Sequence, residues 1–142
     1  FKRDLMQGLH AFGTSVVRAN TNADTFAGAL YYATATLSSS TTVYTTAGEV
    51  AASGSYTAGG QVITNGIAPQ NSGGTTYWTP SAALTWTNVT ITAFDTLLIY
   101  NSSASLKNAV GVFTFASQTI TAGTFTLSMP SNTTTQALIR IA

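Results

Sequence analysis

AALTWTNVTITAFDTLLIYNSSASLKNAVGVFTF, residues 82–115, is the stretch whose reading decides the fold. Leu84 and Trp86 alternate with Thr85 and Thr87, the period-2 signature of a strand with one buried face. Past Asn88 the apolar residues change parity, to Val89, Ile91 and Ala93. A strand changes its buried face only by inserting a residue, so the pattern predicts a β-bulge at Thr87–Asn88. Phe94-Asp95-Thr96 reads as a tight connection, with Asp95 shaping the turn. Leu97-Leu98-Ile99-Tyr100 has no polar alternate face and reads as a strand buried on both sides. Asn101–Ser105 is a turn by composition, and Ala109–Phe115 forms a third strand.

Working outward, Phe125, Leu127 and Met129 alternate with threonine and serine until Pro130, and Ala137–Ala142 supplies the last strand. On the N-terminal side, Thr25–Leu37 reads as a strand, with Phe26, Leu30 and Tyr32 on one face and Ala27, Ala29 and Tyr31 on the other. Gly28 within it marks a bulge or a close approach. Ser38–Thr42 is a loop, and Val43–Thr57 an irregular excursion with one helical turn at Thr45–Ala51. Gly59-Gly60 precedes a short strand, Gln61–Thr64, and Asn65-Gly66 is a turn signal. Ala68–Thr75 reads as a flexible loop around Pro69 and Gly73-Gly74. The one helical pattern is at the start. Phe1, Leu5, Leu9 and Phe12 recur at helical spacing, so residues 1–12 form a short amphipathic helix that docks on the sheet or engages a partner. The expectation is one domain, residues 1–142: an all-β, antiparallel β-sandwich, jelly-roll-like, with eight or nine strands and an N-terminal α-helix.

Only 6% of the residues are charged, against about a quarter in ordinary globular chains. The surface must therefore be covered by Thr, Ser, Asn and Gly, which lose less on desolvation than charges do. Such a surface suits packing against neighbours in a large assembly, or life outside the cell. A net charge of +1 offers no field for nucleic acid, and no apolar run approaches the ~18 residues that span a bilayer. With no cysteine, disulfides and thiolate metal sites are excluded.

The ionisable inventory beyond the bases is His10, Asp4, Asp24, Glu49 and Asp95. No spacing among them makes a carboxylate pair, a nucleophile with its base or a metal cluster, so no catalytic residue, metal or cofactor is assigned. Tyr77 and Trp78, beside Pro80 and a Gly-rich loop, read as exposed aromatics. They suit a protein interface or, in a different functional class, the platform of a glycan-binding module. Trp86 reads as core.

Several segments carry a resemblance: FKRDLMQGLHAF, DTFAGALYYATATL, YTTAGEV with GSYTAGGQVITN, TWTNVTITAFDTLLIYNSS, KNAVGVFTF, TAGTFTLSMP and ALIRIA. In this order and along nearly the whole chain, they resemble a family of small virion structural proteins of tailed bacteriophages. Gly13–Asn22 departs from it as an apparent insertion. The resemblance implies a non-enzymatic particle component, assembled in the bacterial cytoplasm. The first expectation is a capsid decoration, or cement, protein that binds the major capsid protein as a homo-oligomer. The alternatives are a neck, tail or fibre-associated protein and the glycan-binding adhesive module. The expected contact residues are Phe1, Leu5, Leu9, Tyr77 and Trp78, with the Ser38–Thr42 loop beside them.

Overall fold

The computed structural model describes residues 23–142 together with Met6. The helix expected over 1–12, with Phe1, Leu5 and Leu9, lies outside those residues apart from Met6. The described chain forms seven strands: β1 (Phe26–Tyr32), β2 (Gln61–Val62), β3 (Gln70–Ser72), β4 (Thr75–Trp78), β5 (Leu84–Asn101), β6 (Ala109–Leu127) and β7 (Ile139–Ile141). Every pairing is antiparallel, and residues 23–142 contain strands and no helix, so this described part is all-β. Two compact units divide the chain. Asp24–Ile63 and Leu84–Leu127 form one, with a four-stranded sheet in the order β2-β1-β5-β6; Thr64–Ala83 and Ser128–Ala142 form the other, with a three-stranded sheet in the order β3-β4-β7.

The larger unit is organised by a single hairpin, β5–β6, of 18 and 19 residues. The three strands expected between 82 and 115 are thus two. Phe94-Asp95-Thr96 is not a connection: β5 runs through it, and the segment expected around Phe125 is the far end of β6. The reason is a series of bulges that absorb each change of parity. Trp86 pairs with Phe125 and Val89 with Gly123, so β5 carries one extra residue, at the predicted site, where Asn88 has φ 54°. A second extra residue on β5 lies between Ile91 and Phe94, where Ala93 has φ 48°. β6 carries its own, with Ala122 at φ 46°. At the two β5 bulges, both residues of the pairs Thr87–Asn88 and Thr92–Ala93 are exposed, while Leu84, Trp86, Val89, Ile91 and Phe94 all stay buried. One continuous strand therefore keeps one face inward through two changes of sequence parity.

These bulges also bend the hairpin. Phe115 and Phe125 are ten residues apart on β6, about 33 Å along a straight strand, yet their ring centroids lie 5.8 Å apart. Phe94 packs edge-on to both, at 5.9 and 4.8 Å. The hairpin is folded back on itself, with arm 84–91/120–127 over arm 94–101/109–115. At Gly28 a Cβ would lie 2.6 Å from Leu84 Cδ1 and 3.1 Å from Leu97 Cδ1, so β1 fits beneath the upper arm only without a side chain. This is the close approach expected of that glycine. A Cβ at Gly60 would lie 1.9 Å from the Gly28 carbonyl oxygen, and at φ 74° the position suits glycine on both counts.

The core follows. Trp86, Tyr56, Leu30, Leu97 and Phe94 are fully buried between the arms; Trp86 stacks on Phe125 (6.0 Å) and meets Tyr56 at a tilt (5.8 Å). On the other face of the sheet Ala27, Ala29, Tyr31, Leu98 and Tyr100 form a second cluster, covered by Leu37 and Tyr44. Leu97–Tyr100 is accordingly buried on both sides, as its unbroken apolar run required. β1 stops at Tyr32 rather than Leu37, because Ala33 and Thr34 turn the chain away and the Ala33 N–H donates to the Ala93 carbonyl. Glu49, in the segment expected to hold a helical turn, instead bridges Tyr31 in an irregular run.

In the smaller unit, Gln70–Ser72 and Thr75–Trp78 pair around Gly73-Gly74, with φ 56° and 80°. That is a two-residue hairpin turn of the primed type, where a flexible loop was expected. The turn signal at Asn65-Gly66 makes no hairpin; the Asn65 side chain is used by Trp78 instead.

Candidate functional site

The chemistry-bearing residues of the larger unit converge on Glu49. Its Oε2 accepts from the Tyr44 hydroxyl at 2.6 Å, and its Oε1 accepts from the Tyr56 hydroxyl at 2.8 Å and the Gly59 N–H at 2.6 Å. Around it, the Tyr31 hydroxyl donates to the Thr45 carbonyl, the Tyr100 hydroxyl donates to the Gly59 carbonyl at 2.8 Å, and the Tyr32 hydroxyl accepts from the Ala51 N–H at 3.2 Å. Desolvation, and then the nearby Glu49 carboxylate, hold the phenols of Tyr31, Tyr44, Tyr56 and Tyr100 above their usual value. They are neutral hydrogen-bonders at any ordinary pH, and both carboxylate oxygens are occupied. The cluster is a clasp: it ties the irregular segment 43–60 onto β1 and β5 without secondary structure of its own. The tyrosines were legible as core aromatics, but their convergence on one carboxylate had no signal in the spacing.

That clasped segment covers the edge of the upper arm. The Ser55 N–H donates to the Thr87 carbonyl, and the Ser55 and Ser53 hydroxyls accept from the N–H groups of Thr87 and Thr90. β5 is thus paired along both sides: by β6 on one, and on the other by β1 in the lower arm and residues 53–55 in the upper.

The opposite edge of the sheet differs. The Ala109 N–H donates to the Thr42 carbonyl, and beyond that point, among the described residues, no backbone group pairs with the outer edge of β6. β6 contains no charged residue and no proline in 19 residues. Against its start lies an open depression of about 440 Å³, lined by Leu37, Ser38, Ser39 and Thr41 on one side and Ala109–Val112 with Thr114 on the other. The Ser38–Thr42 loop that walls it is held by its own hydroxyls, with the Thr41 Oγ1 accepting from the Ser38 N–H at 3.0 Å. Three of the four exposed large apolar side chains among the described residues gather at this end: Leu106 at 69%, Val43 at 39% and Val110 at 38%. The bridge between Val43 and Asn108 brings their segments together. The nearby Lys107 ammonium sits 5.0 Å from the centroid of the Tyr44 ring.

The expected interface residues fall differently. Phe1, Leu5, Leu9 and His10 lie outside the described residues. Trp78, expected on the surface, is 5% exposed: it alternates inward with Thr76 along β4, and its indole N–H donates to the Asn65 side chain and the Ile67 carbonyl. Tyr77 points the other way and is half-buried. The structure therefore does not present the pair together. Asp24 accepts from the Ser103 hydroxyl at 3.0 Å, and Asp95 from the neighbouring Thr96 hydroxyl at 2.7 Å. Among the described residues no three His, Asp or Glu side chains are grouped to hold a metal ion, and no helix is long and apolar enough to cross a membrane.

Comparison with protein-family models, with curated proteins and with solved structures finds no match to this chain.

Proposed function

We propose that the chain is a non-enzymatic structural component of a bacteriophage particle, a decoration protein that binds the major capsid shell. The observation that carries the reading is the surface of the hairpin. Across the 18 residues of β5 and the 19 of β6 the only charge is Asp95, and the exposed positions are threonine, serine, asparagine and alanine with little else. A free chain keeps itself apart from its neighbours with mixed surface charge. This one has neutral faces and a neutral edge, which desolvate at little cost when another subunit is pressed on them. The ionisable groups that converge do so in a clasp whose oxygens are already occupied, which supports binding rather than catalysis. The doubled-over hairpin, with β1 and β2 added to one arm, supports a β-sandwich of jelly-roll-like form as the binding scaffold.

The expected partners are the capsid protein, other virion proteins and further copies of the chain, and attachment uses area and backbone pairing rather than ion pairs. A neck, tail or fibre position rests on the same surface chemistry and is separated from decoration by where the chain sits on the particle. The glycan-binding alternative is weakened by the burial of Trp78, its proposed platform. Co-sedimentation of the purified chain with undecorated particles tests the reading. Binding should persist from low salt to about 1 M, where the Debye length is only ~3 Å. Release by salt, or no binding to any particle fraction, would refute it.

A further inference from the structure

We propose that the outer edge of β6 at Gly111–Thr114 pairs with the same edge of a second copy, antiparallel, across a two-fold axis between Val112 and Phe113. This rests on the assembly reading and names its partner.

An unpaired strand edge is a liability that folds blunt with charge, proline, bulges or a cover. Most of this edge is blunted. The register breaks between Ile99 and Tyr100, opposite Val110; between Phe94 and Thr96, opposite residues 115–117; and again where Ala122 takes φ 46°. Residues 42–44 occupy the edge at Lys107 and Ala109. Between these devices one run is left straight: Gly111, Val112, Phe113 and Thr114 pair without a shift to Ile99, Leu98, Leu97 and Thr96. Its outer side makes no backbone hydrogen bond among the described residues, opens onto the depression walled by Leu37–Thr41, and adjoins the exposed apolar end at Val43, Leu106 and Val110.

The absence of charge selects the occupant. In a two-fold antiparallel pair each strand meets its own sequence reversed, so any charge near the axis would be set close to its copy. Neither β6 nor the lining of the adjacent depression holds an ionisable side chain. A second copy, which would bring any such charge against its like, meets none here. The area argues the same way. Four residues of edge, at about 3.4 Å each and roughly 10 Å deep, cover about 140 Å² per copy. Even with the apolar end added, this falls in the weak class of contacts, below about 1,200 Å² in total. A weak symmetric contact becomes effective where many copies are held close together on a lattice.

Sedimentation equilibrium of the full chain from micromolar to millimolar concentration tests this, with circular dichroism to verify folding. Wild type should form a dimer that tightens with concentration. Thr114→Asp, and independently Val110→Lys, should weaken association about tenfold or more by placing a charge in the contact. Thr121→Asp, on the exposed face of the other β6 arm, should leave it unchanged. A chain monomeric at every concentration overturns the proposal, as would be found if its own residues 1–22 covered this edge. A dimer indifferent to Thr114→Asp and Val110→Lys, or one equally lost with Thr121→Asp, also overturns it. Particle co-sedimentation of the same variants separates the two readings: variants that still attach show that pairing alone has failed, and a wild type that never attaches shows that the assembly reading has.

Discussion

Gly28→Ala tests the doubled-over hairpin at its tightest point. The added methyl would sit 2.6 Å from Leu84 Cδ1 and 3.1 Å from Leu97 Cδ1, two residues thirteen positions apart on the same strand. The first contact is shorter than carbon atoms tolerate and the second is tight, so a leucine side chain or β1 must move, which costs about 1–3 kcal/mol in a packed core. Replacing glycine within a strand returns roughly 0.5–1 kcal/mol through the unfolded chain. The net expectation is a loss of about 1–2 kcal/mol, read as a lower urea midpoint at unchanged slope. Leu84→Ala alone should cost about 2–5 kcal/mol, because it empties space between the arms. In the Leu84→Ala background, however, Gly28→Ala should be neutral or stabilising, a coupling of about 1–2 kcal/mol. Additive effects would mean that Leu84 does not lie over Gly28. The upper arm would then not be folded onto the lower.

Ala93→Gly and Ala122→Gly should each stabilise the protein by about 1 kcal/mol, since left-handed backbone costs an L-residue ~1–2 kcal/mol at φ 48° and 46°; Ala122→Val should lower the midpoint instead. Glu49→Gln removes one acceptor from a carboxylate that receives three donors, and should cost about 1–3 kcal/mol while raising the protease sensitivity of segment 43–60. Tyr31 and Tyr56 are fully buried with phenols raised above the unfolded value of about 10, so the folded state binds their protons more tightly. Stability is therefore fully present below pH ~10 and falls above it, by up to about 1.4 kcal/mol per pH unit for each phenol. Ionisation of these phenols, followed by Tyr→Phe difference absorbance, should consequently coincide with the loss of tertiary signal; their ionisation well before unfolding would count against the clasp.

The sequence made the larger unit readable where local pattern and tertiary demand coincide. The parity change at Asn88 gave the bulge, and the unbroken run Leu97–Tyr100 gave two-sided burial. It misled at Phe94–Thr96, where a bulge at Ala93 supplies what a turn usually supplies, and a bulged alanine has no composition cue to set it apart. Gly73-Gly74 was visible as punctuation, but its flanks Gln70–Ser72 are too polar to read as a strand. Trp78 was misplaced because a proline two residues on argued for a surface loop, whereas β4 ends just before it and turns the indole inward. The proposed contact surface was legible as chemistry, being neutral and rich in hydroxyls, but not as a place. Which edge stays unpaired is decided by pairings between residues as distant as Ser53 and Thr90.

The most direct test of the assembly role is a cryo-electron microscopy map of the intact particle, with the chain's presence checked by mass spectrometry of purified virions. The account predicts repeated copies of this β-fold seated on the capsid lattice, their contacts formed by neutral faces and strand edges. Virions that lack the chain, with all of it recovered as free protein from the lysate, would contradict it.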